Sequence, residues 1–503
     1  MNTNEEVPKT QLRVSNEPTK FVRDVIWVGI SQLLVALVSV VTIPALTKSY
    51  STETYGVWIQ VSVTESLMIV LLNLDLGTAV VRFLAGEEDK AIRLRSLGSM
   101  LSAIFIFAFL LMVPVSLLAP QLSILLFNST AYTTFVRLTF LWTFADALFG
   151  FFISYLRARG KIKGLSIIQV SMSLCKMAII VLLAKLGLGL IWIVVCIVFI
   201  ELIYIFGIFG KIIREEGFPK PNLVGIKVFL GFSVPQIPAD LFVWIISGSD
   251  RYFITHFLGL SNNGIYSTSN SLGSLISLLF SPISFVLLPT VSKAWGQNQK
   301  MAVKNYFEYS TKLFLLLAIP AAAGIALLSQ PVLKILTTSQ YLAGWELVFF
   351  IAVGTIACGI YQINEYIIYL IRQTKWLPIM VLAASITSVG MNLILIPKMG
   401  IIGASIANII SYTVLAAIVT IIARKAISYK FNFKFLSKVI AATLVMSLCI
   451  YLLKVNSIVS IILASIVGTA IFFSVLFLLR TFSEQDKRIT MQVLVDVVPW
   501  LKK

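Results

Sequence analysis

Fourteen long apolar runs, joined by short polar connections, fix what this 503-residue chain can fold into. Each run is about 20 residues long, enough for a helix to cross a hydrocarbon core of roughly 30 Å. They fall at about 25–46, 55–76, 96–118, 132–156, 165–187, 189–213, 226–247, 263–289, 309–329, 342–371, 376–397, 400–423, 436–454 and 457–480. No water reaches a bilayer core, so a crossing segment must satisfy its own backbone N–H and C=O groups. These runs therefore read as helices.

The basic residues sort by side. Of the 40 Lys and Arg, 32 fall in the N-terminal tail and in every second connection thereafter, from Arg82, Lys90, Arg93 and Arg95 to Arg480 and beyond. Six of the seven intervening connections carry one each, Lys48, Lys185, Arg251, Lys334, Lys398 and Lys454, and 119–131 carries none. Only Arg137 and Lys176 lie inside apolar runs. Basic connections stay cytoplasmic during insertion, so both termini are expected inside, in a plasma (inner) membrane. An even number of spans is needed for that alternation to hold.

The 58% hydrophobic content and mean hydropathy of +0.94 exclude a soluble domain and a disordered chain. The net charge of +18 marks loops facing anionic lipid, and no nucleic-acid partner is expected. Residues 1–20 are polar and the first run is long enough to span, so no cleavable signal is expected. Cys175, Cys196, Cys358 and Cys449 form no CxxC pair, and His256 stands alone, so no metal site is expected. The tail 483–503 places Ile489, Val493 and Val497 four residues apart, the pattern of an amphipathic helix on the inner leaflet.

The chain also echoes itself. Tyr155-Leu156 before Lys161 returns as Tyr369-Leu370 before Lys375. Lys185-Leu186-Gly187 returns as Lys398-Met399-Gly400, and Tyr55-Gly56-Val57-Trp58 resembles Asn263-Gly264-Ile265-Tyr266. The offsets agree at about 210 residues, six spans apart. Six is even, so the copies share one orientation, a parallel repeat found in transporters. The expected divisions are a cytoplasmic tail 1–20, a six-helix bundle 21–215, a second bundle 216–430, helices 13 and 14 over 431–482, and the tail 483–503.

Particular stretches carry a family resemblance. They are Asp75-Leu76-Gly77-Thr78-Ala79-Val80-Val81-Arg82-Phe83, Ser249-Asp250-Arg251-Tyr252-Phe253-Ile254, Leu287-Leu288-Pro289 with Ser292-Lys293, and Asn392-Leu393-Ile394-Leu395-Ile396-Pro397 before Gly400. In that order they resemble the polysaccharide transporter, or O-antigen flippase, family of the multidrug/oligosaccharidyl-lipid/polysaccharide (MOP) superfamily. The resemblance implies an all-α integral membrane protein of about 14 transmembrane helices: two six-helix bundles around a central cavity, plus two C-terminal helices. It implies a flippase that moves a polyprenyl-diphosphate-linked oligosaccharide from the inner to the outer leaflet by alternating access, for cell-surface glycan assembly. Its partners would be that glycan lipid, membrane lipids and glycan assembly proteins. Related peptidoglycan-precursor flippases typically carry Ala-Asp-Arg in the eighth helix, where this chain has Thr268-Ser269-Asn270. That departure weighs against a peptidoglycan role. The alternatives are a cation-coupled multidrug exporter of the same superfamily and a polytopic glycan polymerase or glycosyltransferase. The latter is disfavoured because no outer connection is long enough to carry a catalytic domain.

Flipping makes and breaks no bond, so no catalytic residue and no cofactor is expected. It needs a polar path for sugars and cations for a diphosphate. Hydroxyl and amide groups line up at helical spacing in the seventh and eighth runs: Ser233, Gln236, Asp240 and Ser247, then Asn270, Ser274, Ser277 and Ser281. Gln32, Ser39, Gln60, Thr64, Glu65, Asn73 and Asp75 place similar groups on the first two. From these, Gln32, Gln60, Gln236, Asp240, Asn270 and Ser274 are the candidate sugar contacts. Arg82 and Arg251 are the candidate diphosphate ligands, because a guanidinium donates two parallel hydrogen bonds to a phosphate. Asp146, Lys176 and Glu201 sit near the midplane, where an unpaired charge costs about 2.5–3.5 kcal/mol on insertion scales. They form either a structural Lys–carboxylate network or an H⁺ or Na⁺ coupling site. Glu365 is a fourth member of this class, with Arg372 as an alternative partner.

Overall fold

The computed structural model describes residues 17–429, 432–453 and 455–481. The amphipathic reading of 483–503 lies outside them. Among the described residues the chain is helical with no strand, and 14 helical segments are long and apolar enough to cross a membrane. The helices in chain order are α1 (Glu17–Ser49), α2 (Thr52–Leu72), α3 (Leu76–Leu84), α4 (Lys90–Leu117), α5 (Ala119–Phe127), α6 (Thr133–Ala158), α7 (Ile162–Lys185), α8 (Leu190–Glu216), α9 (Ile226–Ser233), α10 (Ile237–Gly248), α11 (Asp250–Leu258) and α12 (Leu260–Gly273). They continue with α13 (Phe280–Gly296), α14 (Lys300–Leu336), α15 (Leu347–Leu370), α16 (Leu377–Met399), α17 (Ile401–Ala426), α18 (Phe433–Leu452) and α19 (Ile458–Leu478).

Local chemistry explains several boundaries. Ser51 is extended at φ −65°, ψ 161°, and its hydroxyl accepts the N–H of Thr54, so α2 starts afresh after α1. Asp89 does the same for α4, accepting from Ala91 and Ile92. Ser457 and Ser460 form a reciprocal capping box at the start of α19. Pro235 lacks the N–H that a helix interior needs, and a 3₁₀ turn over Val234–Gln236 separates α9 from α10. The break between α2 and α3 has a different cause. Leu74 and Asp75 both take left-handed conformations, at φ 51° and 48°, and neither is glycine.

The chain forms two compact units: Met1–Trp244 with Gly259–Ser261, and Ile245–Leu258 with Asn262–Lys503. In the first, α6 is the central post. The span containing it is 61% buried, and Phe140, Phe149, Phe151, Phe152 and Tyr155 anchor the apolar core. In the second, α15 plays that part, 50% buried and packed on α14 and α17. These two posts are the fourth and tenth spans, six apart, the same step as the sequence echo. Helices α18 and α19 pack on each other and on α14 through Val439, Met446, Ile450, Phe472 and Leu476.

Where α8 closes, the first unit holds a charged knot. Glu216 closes α8, is 8% exposed and uses both oxygens. Its Oε2 accepts from Arg93 Nε at 2.9 Å and from Tyr155 Oη at 2.6 Å, and its Oε1 lies 3.5 Å from Arg159 Nε. Arg93 also donates to the carbonyls of Glu87 and Glu88 at 2.9 and 3.0 Å, tying down the loop before α4. The charge pattern alone reads Arg93 as an anchor facing lipid headgroups; packing makes it a buried structural cation, 6% exposed.

Candidate intramembrane charge site

Four helices of the first unit each bring one charge near the middle of a span: Glu65 on α2, Asp146 on α6, Lys176 on α7 and Glu201 on α8. Lys176 Nζ donates to Glu201 Oε1 at 2.5 Å and lies 3.9 Å from Asp146 Oδ1. Glu201 is fully buried, and its Oε1 also accepts the indole N–H of Trp142 at 3.1 Å. Trp142 stacks on Trp58 of α2, with centroids 5.6 Å apart, which walls the cluster on one side. Glu65 faces Asp146, Glu201 and Lys176 electrostatically. Its Oε1 and the Oε2 of Glu201 are buried with no hydrogen-bond partner.

Sequence patterning places Glu65 on a polar stripe with Gln60, whereas the structure sets its carboxylate among the intramembrane charges. A usable signal exists: Glu65 lies at the same depth in its span as the other three do in theirs.

The other candidate residues divide between the units. In the first, Gln60 is fully buried, Gln32 is exposed on α1, and Gln236 donates to its own helix at Phe232 O, 3.2 Å away. Asp240 is exposed on α10 and interacts electrostatically with Asp75 at the α2–α3 break. Arg82 is exposed near the end of α3. Its guanidinium lies 4.5 Å from the centre of the Phe232 ring and 5.9 Å from that of Phe83. Among the described residues Arg82 forms no ion pair.

In the second unit Asn270 is half-buried on α12, and Ser274 donates to Ser271 O at 3.3 Å. Arg251 is committed locally. It is 8% exposed, donates to Asp250 Oδ1 at 2.8 Å and to the Ser247 carbonyl, and lies over the Tyr266 ring. Tyr266 Oη in turn donates to Asp250 Oδ2 at 2.5 Å. Glu365 accepts from Tyr369 at 2.9 Å and bonds to Tyr361, so tyrosines, rather than Arg372, hold it.

Two cavities of the second unit are of a different character. One of about 440 Å³ is lined by Leu279, Pro320, Met446, Ile450 and Phe472; the other, of about 710 Å³, by Ala322, Phe349, Phe350, Ile440 and Leu444. Their walls are overwhelmingly apolar and offer no cation, so neither suits a diphosphate.

Among the described residues, 14 helices long and apolar enough to span, with no strand, define a polytopic membrane protein. The chain belongs to the polysaccharide biosynthesis protein family, whose profile matches residues 21–295. Among curated relatives, it is 22% identical over 273 residues to a probable low-salt glycan biosynthesis flippase of Haloferax volcanii, covering 53% of this chain and 57% of that protein. It is 28% identical over 254 residues to a probable lipid II flippase of Haemophilus influenzae, covering 47% and 48%. The chain thus spans about half the length of the curated relatives it matches. Its fold is that of a lipid II flippase solved in an inward closed conformation, with TM-score 0.75, 17% identity, and 90% of this chain and 98% of that one covered. An inward-facing multidrug resistance transporter of the MOP superfamily shares the fold at TM-score 0.66 and 14% identity, covering 80% and 98%.

Proposed function

We propose that this protein is a flippase for a polyprenyl-diphosphate-linked oligosaccharide, carrying it from the inner to the outer leaflet by alternating access. The observation that carries the reading is Arg82. Arg82 is exposed near the end of α3, with the Phe232 and Phe83 rings against its guanidinium and no ion pair among the described residues. No carboxylate competes for its N–H groups, and a guanidinium can grip a phosphate through two parallel bonds. The family match and the relatives' names support a glycan-lipid substrate. Arg251 is the weaker diphosphate ligand, because Asp250 and the Ser247 carbonyl already take its donors.

The test follows glycan flipping beside membrane abundance. Arg82→Ala should lower flipping about tenfold or more, the value of one charge-assisted hydrogen bond. Arg82→Lys should recover only part, since an ammonium is a point charge. Normal flipping in Arg82→Ala would remove this residue from the site. Orientation is tested separately with an impermeant thiol reagent in intact cells. Cysteine placed at Thr130 should label and cysteine placed at Glu88 should not; the opposite pattern would invert the proposed topology.

A further inference from the structure

We propose that Glu65, Asp146, Lys176 and Glu201 form a binding site for one labile proton, carried on Glu65, and not a site for a metal ion. Three carboxylates face one ammonium, so full ionisation would leave two surplus negative charges among apolar helices near mid-span. Such an excess is relieved by a proton or by a second cation. The geometry favours the proton. The Lys176 ammonium already fills the cation position, 2.5 Å from Glu201 and 3.9 Å from Asp146, and an added metal ion would have to sit against it.

The same distances select the carrier. Glu201 accepts from Lys176 and from the Trp142 N–H, and both contacts favour its ionised form. Asp146 lies at the edge of the same ammonium. Glu65 has neither aid: among the described residues no salt bridge reaches it, and its Oε1 is buried without a partner. The second observation is independent of the acidic grouping. Glu201 is fully buried and its Oε2 has no hydrogen-bond partner among the described residues, so a donor O–H would satisfy it. The charges facing Glu65 are Asp146 from α6, Lys176 from α7 and Glu201 from α8. The neighbouring titratable pair, Cys175 and Tyr204, is engaged internally at 3.7 Å.

The site needs no identified substrate and stands or falls apart from the flippase reading. The measurement is infrared difference spectroscopy of the full chain in lipid nanodiscs, cycling the pH. The wild type should show the carbonyl band of a protonated carboxylic acid that disappears on alkalinisation. Exchanging K⁺ for Na⁺ at fixed pH and ionic strength should leave that band unchanged. Glu65→Gln should abolish it, and Glu65→Asp should retain it at a shifted frequency. Loss of the band on adding Na⁺ would make this a metal site and overturn the proposal. So would a wild type with no titrating band, or a folded Glu65→Gln protein that keeps the full band. Where Glu65→Gln does not fold, Glu65→Asp decides: a band at unchanged frequency would place the proton on another carboxyl and overturn the proposal.

Discussion

The first unit contains two buried charge clusters solved in opposite ways. Where α8 ends, one carboxylate, Glu216, is shared by Arg93, Arg159 and Tyr155: Oε2 accepts from Arg93 and Tyr155, and Oε1 is ion-paired at 3.5 Å with Arg159, whose Nε has no hydrogen bond. In mid-span, one ammonium is paired with two carboxylates, Asp146 and Glu201, beside a third, Glu65, and oxygens on Glu65 and Glu201 remain unmatched. Burial raises the stakes in both places, because a low dielectric strengthens paired groups and penalises unpaired ones. The knot has donors in surplus and reads as a fixed tie between the loop before α4 and the ends of α6 and α8. The mid-span cluster has acceptors in surplus, the imbalance that the proposed proton would relieve. Surplus donors leave no carboxylate stranded, whereas surplus acceptors leave one.

The sharpest way to break this comparison is to remove the single cation of the poorer cluster. Lys176→Met leaves Glu201 fully buried with only the Trp142 N–H. Removing one partner of a buried pair costs about 3–5 kcal/mol, less whatever a proton recovers. Lys176→Met combined with Glu201→Gln removes both charges and should restore most of that loss. Unfolding in bicelles measures both, and the non-additivity of the double variant reports the coupling. Equal losses for the single and double variants would mean that Lys176 is merely packed there.

At the Glu216 knot, Glu216→Gln keeps the shape and removes the charge. Arg93 and Arg159 then face a neutral amide, and the expected loss is about 2 kcal/mol, within the range for hydrogen bonds to charged groups. The carbonyls of Glu87 and Glu88 still hold Arg93, which is why the loss should fall below that of Lys176→Met. Faster amide exchange confined to the loop before α4 would locate the damage at the tie. Undisturbed exchange there would separate Glu216 from the loop.

How much of this could be read from the chain follows from the range of each interaction. The 14 helices are legible because hydropathy over about 20 residues is a local sum. The company of Lys176, Glu201 and Asp146 is legible because a mid-membrane charge needs a partner, and few are available. Asp250 and Arg251 are neighbours in sequence, so their pairing is visible without a fold. Glu65 is harder: on its own helix it joins a polar stripe with Gln60 and Thr64, and only the packing of α2 on α6 brings it to Asp146. The α2–α3 break has no sequence signal, since Leu74 and Asp75 take left-handed conformations without glycine. The Phe232 ring that lies against Arg82 comes from 150 positions away, and no motif spacing encodes that contact.

The smallest expected effect sharpens the comparison furthest. Tyr155 is 2% exposed and its hydroxyl donates to Glu216 at 2.6 Å. Tyr155→Phe deletes one oxygen and opens little space, so it isolates that hydrogen bond. A lone donor to a buried carboxylate would be worth about 1.5–3 kcal/mol. Here Arg93 stays bonded to the same oxygen and Arg159 stays beside the other, so the carboxylate is never stranded. The loss should be about 1 kcal/mol or less, at the low end of what a net hydrogen bond contributes. The matching change in the mid-span cluster is Trp142→Phe, which takes from Glu201 its one donor besides Lys176 and also disturbs the stack on Trp58. That variant should lose more than Tyr155→Phe in the same unfolding assay. A Tyr155→Phe loss equal to that of Lys176→Met would show that the Glu216 knot has no donor to spare, and the contrast between a donor-rich cluster and an acceptor-rich one would collapse.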